Sequence, residues 1–208
     1  MVVIGAKGLA KELLAVLSWN ESTDDIFFFD NIDSNAPDLL YGKFSVLKSW
    51  DALEKHFLLN NPKFILGVGG PKARLACSHK ATSLGGKLES IISNQALVGA
   101  YGVKIGNGVC ILSQATITAD VEIGEGTLIN KAAIISHDAK VGSYCEISPG
   151  VKVLGRARIG DRTELGTNAV ILPHITIGDD CKVGAGAIVT KDVANGVTVL
   201  GMPAKPRL

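Results

Sequence analysis

Residues 105–189 read IGNGVCILSQATITADVEIGEGTLINKAAIISHDAKVGSYCEISPGVKVLGRARIGDRTELGTNAVILPHITIGDDCKVGAGAIV, and every sixth residue is apolar. The anchors are Ile105, Ile111, Ile117, Ile123, Ile129, Ile135, Val141, Ile147, Val153, Ile159, Leu165, Ile171, Ile177, Val183 and Val189. Self-similarity at a fixed period signals a repeat architecture in which each unit buries its neighbour. A slower period lies inside it: Gly106, Gly124, Gly142, Gly160 and Gly178 follow their anchors at a spacing of eighteen, and Gly166 and Gly184 share that spacing. Glycine marks backbone corners that other residues adopt at a steric cost, so one corner returns every three hexapeptides and each coil has three sides. Four residues after each anchor stands a mostly small or β-branched residue, among them Ala115, Thr127, Ala133, Ala139, Cys145, Ala157, Thr163, Ala169, Cys181 and Ala187. An apolar anchor with a small inward neighbour predicts a narrow, filled triangular prism of short parallel strands.

Outward from the run, Val98 and Ile105 are seven apart, which predicts an irregular first coil. The pattern ends near Val193, and the tail TVLGMPAKPRL holds two prolines that cannot continue a ladder. Toward the N-terminus, VVIGAKGLAKELLAVLSWN predicts a buried strand at 2–4, a glycine turn and a helix with Leu9, Leu13, Val16 and Leu17 on one side. Further strands are expected at 26–30, in KFILGVGG and at 88–92, and helices at 48–59 and 72–84. Strands alternating with helices predict a small Rossmann-like parallel sheet. The chain is therefore read as two domains, an α/β front domain and the repeat prism.

With 21 basic and 20 acidic residues, the chain has no field of the kind nucleic acid or an anionic membrane demands. No run approaches the length of a membrane span and no signal segment opens the chain, so a cytoplasmic location is expected. Cys77, Cys110, Cys145 and Cys181 lack metal or redox spacing and read as buried thiols.

Gly5 and Gly8 stand where a phosphate-binding turn would lie, between first strand and first helix. A plain strand-to-helix turn is the alternative, and GAKGLA lacks the three-glycine spacing of a nicotinamide site. Asp30, at the carboxyl end of the second strand, is placed either to accept from a ribose or base or to cap the loop. Gly69, Gly70 and Arg74 could reach the same crevice.

In the prism, counting by eighteen stacks Ala119, His137, Gly155, Pro173 and Lys191 in one column. A coil spacing of about 4.8 Å brings the Gly155 backbone within reach of a group held by His137. Acyl transfer from a thioester needs a base for the attacking amine or hydroxyl and a donor for the developing oxyanion. Imidazole suits the first role, and Asp138 could orient it. His174 lies two coils and one position on, roughly 10 Å away, so a histidine zinc site, which needs at least three ligands, is not expected.

VVIGAKGLAKE, FFFD, GVGGPKAR, IISHDAKVG and VLGMPAKP, in that order, resemble the left-handed parallel β-helix (hexapeptide-repeat) acyltransferases, specifically the nucleotide-amino-sugar N-acetyltransferases and their sialic acid O-acetyltransferase relatives. The resemblance implies the left-handed coil and a Rossmann-like nucleotide-sugar-binding domain over 1–92. It further implies an acyltransferase β-helix over 93–195 and a tail, 196–208, near coenzyme A. It implies acetyl-CoA as co-substrate, no metal, and acetylation of the amino group of a nucleotide-linked 4-amino-4,6-dideoxy sugar. His137 becomes the general base, Asp138 its orienting carboxylate and the Gly155 amide a thioester-oxygen donor. Thr167 and Ala185 match positions along the pantetheine arm, and Ala204 and Lys205 match the tail at the adenine end. Gly5, Lys7, Gly8 and Asp30 match the nucleotide half of the acceptor site. Glu146 replaces a second histidine of the bacillosamine-type enzymes and either binds the acceptor ammonium or faces solvent. A homotrimer with active sites between subunits is implied. The alternatives are O-acetylation of a sialic acid or polysaccharide hydroxyl, and a non-catalytic nucleotide-binding or assembly subunit.

Overall fold

The structure, a computed structural model, describes residues 1–207 except 21, 22, 24 and 34. The front domain holds β1 (Val2–Ile4), α1 (Gly8–Trp19), β2 (Phe27–Phe29), β3 (Leu39–Leu40), β4 (Phe44–Leu47), α2 (Trp50–Leu59), β5 (Lys63–Leu66), α3 (Pro71–Ser83) and β6 (Lys87–Leu88). Its sheet runs β3-β4-β2-β1-β5-β6, parallel except for β3 against β4. Both central strands are apolar throughout, as a sheet covered on two sides requires.

The expected helix at 48–59 starts two residues later because Ser49 caps it, its Oγ accepting from Ala52 N at 3.2 Å. The expected strand at 88–92 is two elements. Glu89 N still bonds Phe64 O of the front sheet, whereas Ile91 N bonds Val109 O of the prism, so Ile91–Ile92 is already its first rung.

The prism has three faces of parallel strands, two residues long except for the last on face 1. Face 1 stacks Ile91–Ile92, Cys110–Ile111, Leu128–Ile129, Glu146–Ile147, Glu164–Leu165, Lys182–Val183 and Thr198–Leu200. Face 2 stacks Leu97–Val98, Thr116–Ile117, Ile134–Ile135, Lys152–Val153, Val170–Ile171 and Ile188–Val189. Face 3 stacks Lys104–Ile105, Glu122–Ile123, Lys140–Val141, Arg158–Ile159 and Thr176–Ile177. Partners are eighteen apart, as in Ile111 opposite Ile129. From Ile111 to Val189 every anchor is buried, and the small residues four positions on close the core between them. Each fully buried anchor contributes about 1.5–3 kcal/mol.

The corners correct the reading of the glycines. Gly106, Gly124, Gly142, Gly160 and Gly178 are absent from the positive-φ residues. They are glycine because a Cβ would strike the next coil, at 2.6 Å from Gly142 C for Gly124 and 2.5 Å from Gly178 C for Gly160. The left-handed conformation falls instead three residues after the anchor. Asp120, Ala132, Asp138, Tyr144, Arg156, Arg162, Asn168, His174 and Asp180 adopt it with φ between 53° and 64°. Such a conformation costs a non-glycine residue about 1–2 kcal/mol, which the burial of each coil against the next offsets.

The tail also differs from expectation. Thr198–Leu200 adds a further parallel rung to face 1 before the prolines, and Lys205–Pro206 pairs antiparallel with it at the edge, where a missing N–H is tolerated.

The front domain sits on face 1. Ile91, Cys110, Leu112 and Leu128 share a core with Val3, Leu13, Leu17 and Ile65, while Tyr144 joins Val2, Leu53, Phe64 and Leu66. Lys131 Nζ meets Glu12 at 2.6 Å beside this seam.

Candidate active site

His137 and Asp138 form the corner between faces 2 and 3, the prism edge opposite the face that carries the front domain. Asp138 N bonds Ala119 O on one neighbouring coil at 3.1 Å, and Arg156 N on the other bonds His137 O at 3.0 Å. The left-handed backbone at Asp138, φ 59°, is one that aspartate tolerates better than most residues, and its carboxylate turns back onto the ring. Its Oδ2 lies 2.8 Å from His137 Nδ1 and 3.5 Å from Arg156 Nε. The hydrogen bond from His137, and then the Arg156 charge, hold the Asp138 carboxyl below the usual carboxylate range. An anion on Nδ1 places the proton there and leaves the Nε2 lone pair as the acceptor.

Gly155 lies against that face of the ring. A Cβ on it would come within 2.7 Å of both Nε2 and Cε1, so only glycine leaves the imidazole in place. Its amide has no hydrogen-bond partner among the described residues. At the equivalent corner between faces 3 and 1, the amides of Ser143, Asp161 and Asp179 are each taken by a side chain of the next coil, at 2.7, 2.8 and 3.0 Å. The His137 edge therefore joins a bare imidazole nitrogen to an uncommitted N–H, the two elements that acyl transfer needs.

The other expected residues divide among three places. Thr167 and Ala185 stack on the edge between faces 1 and 2, across face 2 from His137, with Gly186 N bonding Thr167 O at 2.8 Å. Ala204 N bonds Ile188 O on the last rung of face 2 at 2.8 Å. Ala204 and Lys205 there border a cavity of about 480 Å³ with Val189 and Val193. His174 N bonds Gly155 O, two coils above Asp138.

In the front domain a crevice of about 280 Å³ opens at the carboxyl ends of β1, β2 and β5, lined by Gly5, Lys7, Asp30, Ile32, Gly69 and Cys77 among others. Gly5 has φ 114°, and a Cβ there would lie 2.7 Å from Gly67 O. Gly8 opens α1 and does not line the crevice. Asp30 is buried, and its Oδ1 accepts from Ile32 N and Asp33 N, both at 3.0 Å. That oxygen holds the loop, and Asp30 also lines the crevice. Glu146 lies at the seam between the domains, its Oε2 accepting from Gly70 N at 2.5 Å. Arg156 was not singled out as a site residue, although counting by eighteen from Asp138 leads to it.

The family Bacterial transferase hexapeptide (six repeats) matches residues 120–155 and 156–191. PerB from Caulobacter crescentus, solved in complex with CoA and GDP-perosamine, is 30% identical, with coverage of 100% of this chain and 96% of that chain and a TM-score of 0.91. A perosamine N-acetyltransferase structure from the same bacterium is 29% identical over the same shares, also at 0.91. The chain belongs to the hexapeptide-repeat sugar N-acetyltransferases. The acetyltransferase domain of PglB from Neisseria gonorrhoeae FA1090 extends the likeness, at 30% identity over 99% of this chain and 98% of that chain, TM-score 0.89. No match is found among curated proteins. These structures thus match the chain over both the front domain and the prism.

Proposed function

We propose that the chain is an acetyl-CoA-dependent N-acetyltransferase acting on the amino group of a nucleotide-linked 4-amino-4,6-dideoxy sugar. The observation that carries this is the His137 edge, where Asp138 holds Nδ1 and Gly155, whose amide is uncommitted, packs against the ring at Nε2. The solved relatives with CoA and a nucleotide sugar support the choice of both substrates.

In the reaction, the sugar nitrogen attacks the thioester carbonyl and a C–N bond forms as Nε2 takes the amine proton. The oxyanion of the tetrahedral intermediate accepts from Gly155 N–H. Its collapse breaks the C–S bond, and the departing thiolate takes the proton back from the imidazolium. The products are the N-acetyl sugar and coenzyme A, and His137 returns to its starting state.

The crevice and the His137 edge lie on opposite sides of the prism, so we read the working unit as an assembly in which a neighbour's crevice meets this edge. Face 2 supports a homotrimer built on it. Its outward residues are Leu97, Thr116, Ile134, Lys152, Val170 and Ile188, largely apolar, whereas face 3 carries Lys104, Glu122, Lys140 and Arg158, the first rungs of face 1 are covered by the front domain and its later rungs present Glu164 and Lys182. Burial of such a face drives association and brings the His137 edge and the Thr167–Ala185 edge to a shared interface. On this reading 1–92 binds the nucleotide sugar, 93–195 transfers the acetyl group and 196–208, with Ala204 and Lys205, meets coenzyme A. The four free cysteines suit a cytoplasmic location, and among the described residues no helix is long and apolar enough to cross a membrane.

The test incubates the protein with acetyl-CoA and a panel of UDP-, dTDP- and GDP-linked 4-amino sugars beside hydroxyl acceptors, following thiol release and product mass. Thiol release with an amine acceptor and a product stable to mild base is expected. Turnover confined to hydroxyl acceptors, with a base-labile ester, would refute the reading.

A further inference from the structure

Arg74, in the first half of α3, is fully buried, with 0% of its surface exposed. A buried guanidinium is costly unless its donors are met, and among the described residues no carboxylate lies within ion-pair distance of it. Backbone carbonyls from two domains meet it instead. Its Nη1 donates to Leu66 O at 3.0 Å and Val68 O at 2.8 Å, at the end of β5 and in the loop that lines the crevice. Its Nε donates to Gly126 O of the prism at 2.8 Å, and its Nη2 approaches Cys110 Sγ at 3.6 Å. The same loop has a second tie, from Gly70 N to Glu146 Oε2 of face 1. Between these ties stand Gly67, Val68 and Gly69, all lining the crevice. The loop packs closely on β1, where Gly67 leaves no room for a side chain: a Cβ there would lie 2.6 Å from Val3 Cγ1.

We propose that Arg74 is a positioning residue for the nucleotide sugar, a buried staple that fixes the crevice floor on the prism, with Glu146 as its second tie through Gly70. The proposal rests on the reading of the crevice as the nucleotide site and names what holds it in register with the acetyl-transfer edges. The planar fork is the reason for arginine. Three carbonyls are reached from two separated nitrogens, Nε and Nη1, whereas lysine, which keeps the charge, would have to meet them from one. Glu146 accepts one amide proton, a task a glutamine oxygen also performs. Its Oε2 is committed to Gly70, and through that bond Glu146 acts on the loop.

Calorimetry with UDP, dTDP, GDP and coenzyme A on the wild-type protein, Arg74→Lys, Glu146→Ala and Glu146→Gln tests this, together with kinetics on the nucleotide sugar that the wild type accepts. Arg74→Lys should raise the Kd of the preferred nucleoside diphosphate, and the KM of its sugar, about tenfold, as expected when hydrogen bonds to a charged group are lost. Glu146→Ala should raise both about fivefold and Glu146→Gln less than about twofold. The Kd of coenzyme A, bound elsewhere on the prism, should hold and report the integrity of each variant. Unchanged nucleotide affinity in Arg74→Lys, or a fall in kcat alone, would overturn the proposal. Should Arg74→Lys lose its fold and its coenzyme A binding, Glu146→Ala decides, since unchanged nucleotide affinity there overturns it equally. A wild-type protein that binds none of the nucleotides would refute the nucleotide reading itself, a different result from an indifferent variant.

Discussion

The base role proposed for His137 rests on two neighbours that the repeat places on it. Asp138 fixes which nitrogen is bare, and Gly155 leaves the space in front of that nitrogen open. His137→Ala should lower kcat by about two to four orders of magnitude with coenzyme A binding kept, as removal of a general base does. Turnover near the wild-type rate would remove His137 from the base role. Gly155→Ala forces the ring aside, and a misplacement of about 1 Å should cost about a hundredfold in kcat. A crystal structure of that variant with the ring unmoved would contradict the contact. The Asp138 carboxyl is held low by His137 first and Arg156 second. A depressed folded pKa means that the tie is present above the unfolded carboxylate value and is lost only as pH falls through the lower folded one. NMR titration of the Asp138 carboxyl should therefore give a midpoint below ~3.9, and a midpoint at or above it would contradict the tie.

At the level of the coil, one inner column replaces apolar contacts with hydrogen bonds. Thr127 Oγ1 donates to Gly142 O at 2.7 Å and accepts from Cys145 N at 3.0 Å, and Thr163 repeats this with Gly178 O and Cys181 N. Burial pushes the Cys145 thiol up to about 12, so it stays protonated and donates to Gly160 O at 3.1 Å. Thr127→Val keeps the volume but strands a buried amide and a carbonyl, which should cost about 1–3 kcal/mol and lower the denaturant midpoint. An unchanged midpoint would show that the hydroxyl contributes nothing. The coil itself was legible in the sequence because anchors separated by six residues all face one axis. The glycine column was visible too, but its cause was not. Whether Gly124 serves a left-handed turn or a close approach depends on the coil above, which sequence spacing does not contain. Glu146 stayed open for a related reason: its partner Gly70 is 76 residues away in another domain, and no local pattern records that contact.

For the whole molecule, the order of the faces underlies the proposed assembly of the site. Counting by eighteen found the column joining His137 to Gly155, yet gave no sign that the front domain would cover face 1 and leave the acceptor crevice across the prism from that column. The packing of Cys110, Leu112 and Leu128 under the front domain settles that arrangement. On the proposed reading of the assembly, the completed site is a product of two copies, one supplying the His137 edge and the other the crevice with Asp30. Mixed oligomers of His137→Ala and Asp30→Ala copies, assayed for acetyl transfer at limiting nucleotide sugar, test this most directly. Each parent should be nearly inactive, and an equal mixture should regain about one quarter of the wild-type sites, the share in which an intact edge meets an intact crevice. A mixture no more active than its parents would place both halves of the site in one chain and contradict the account.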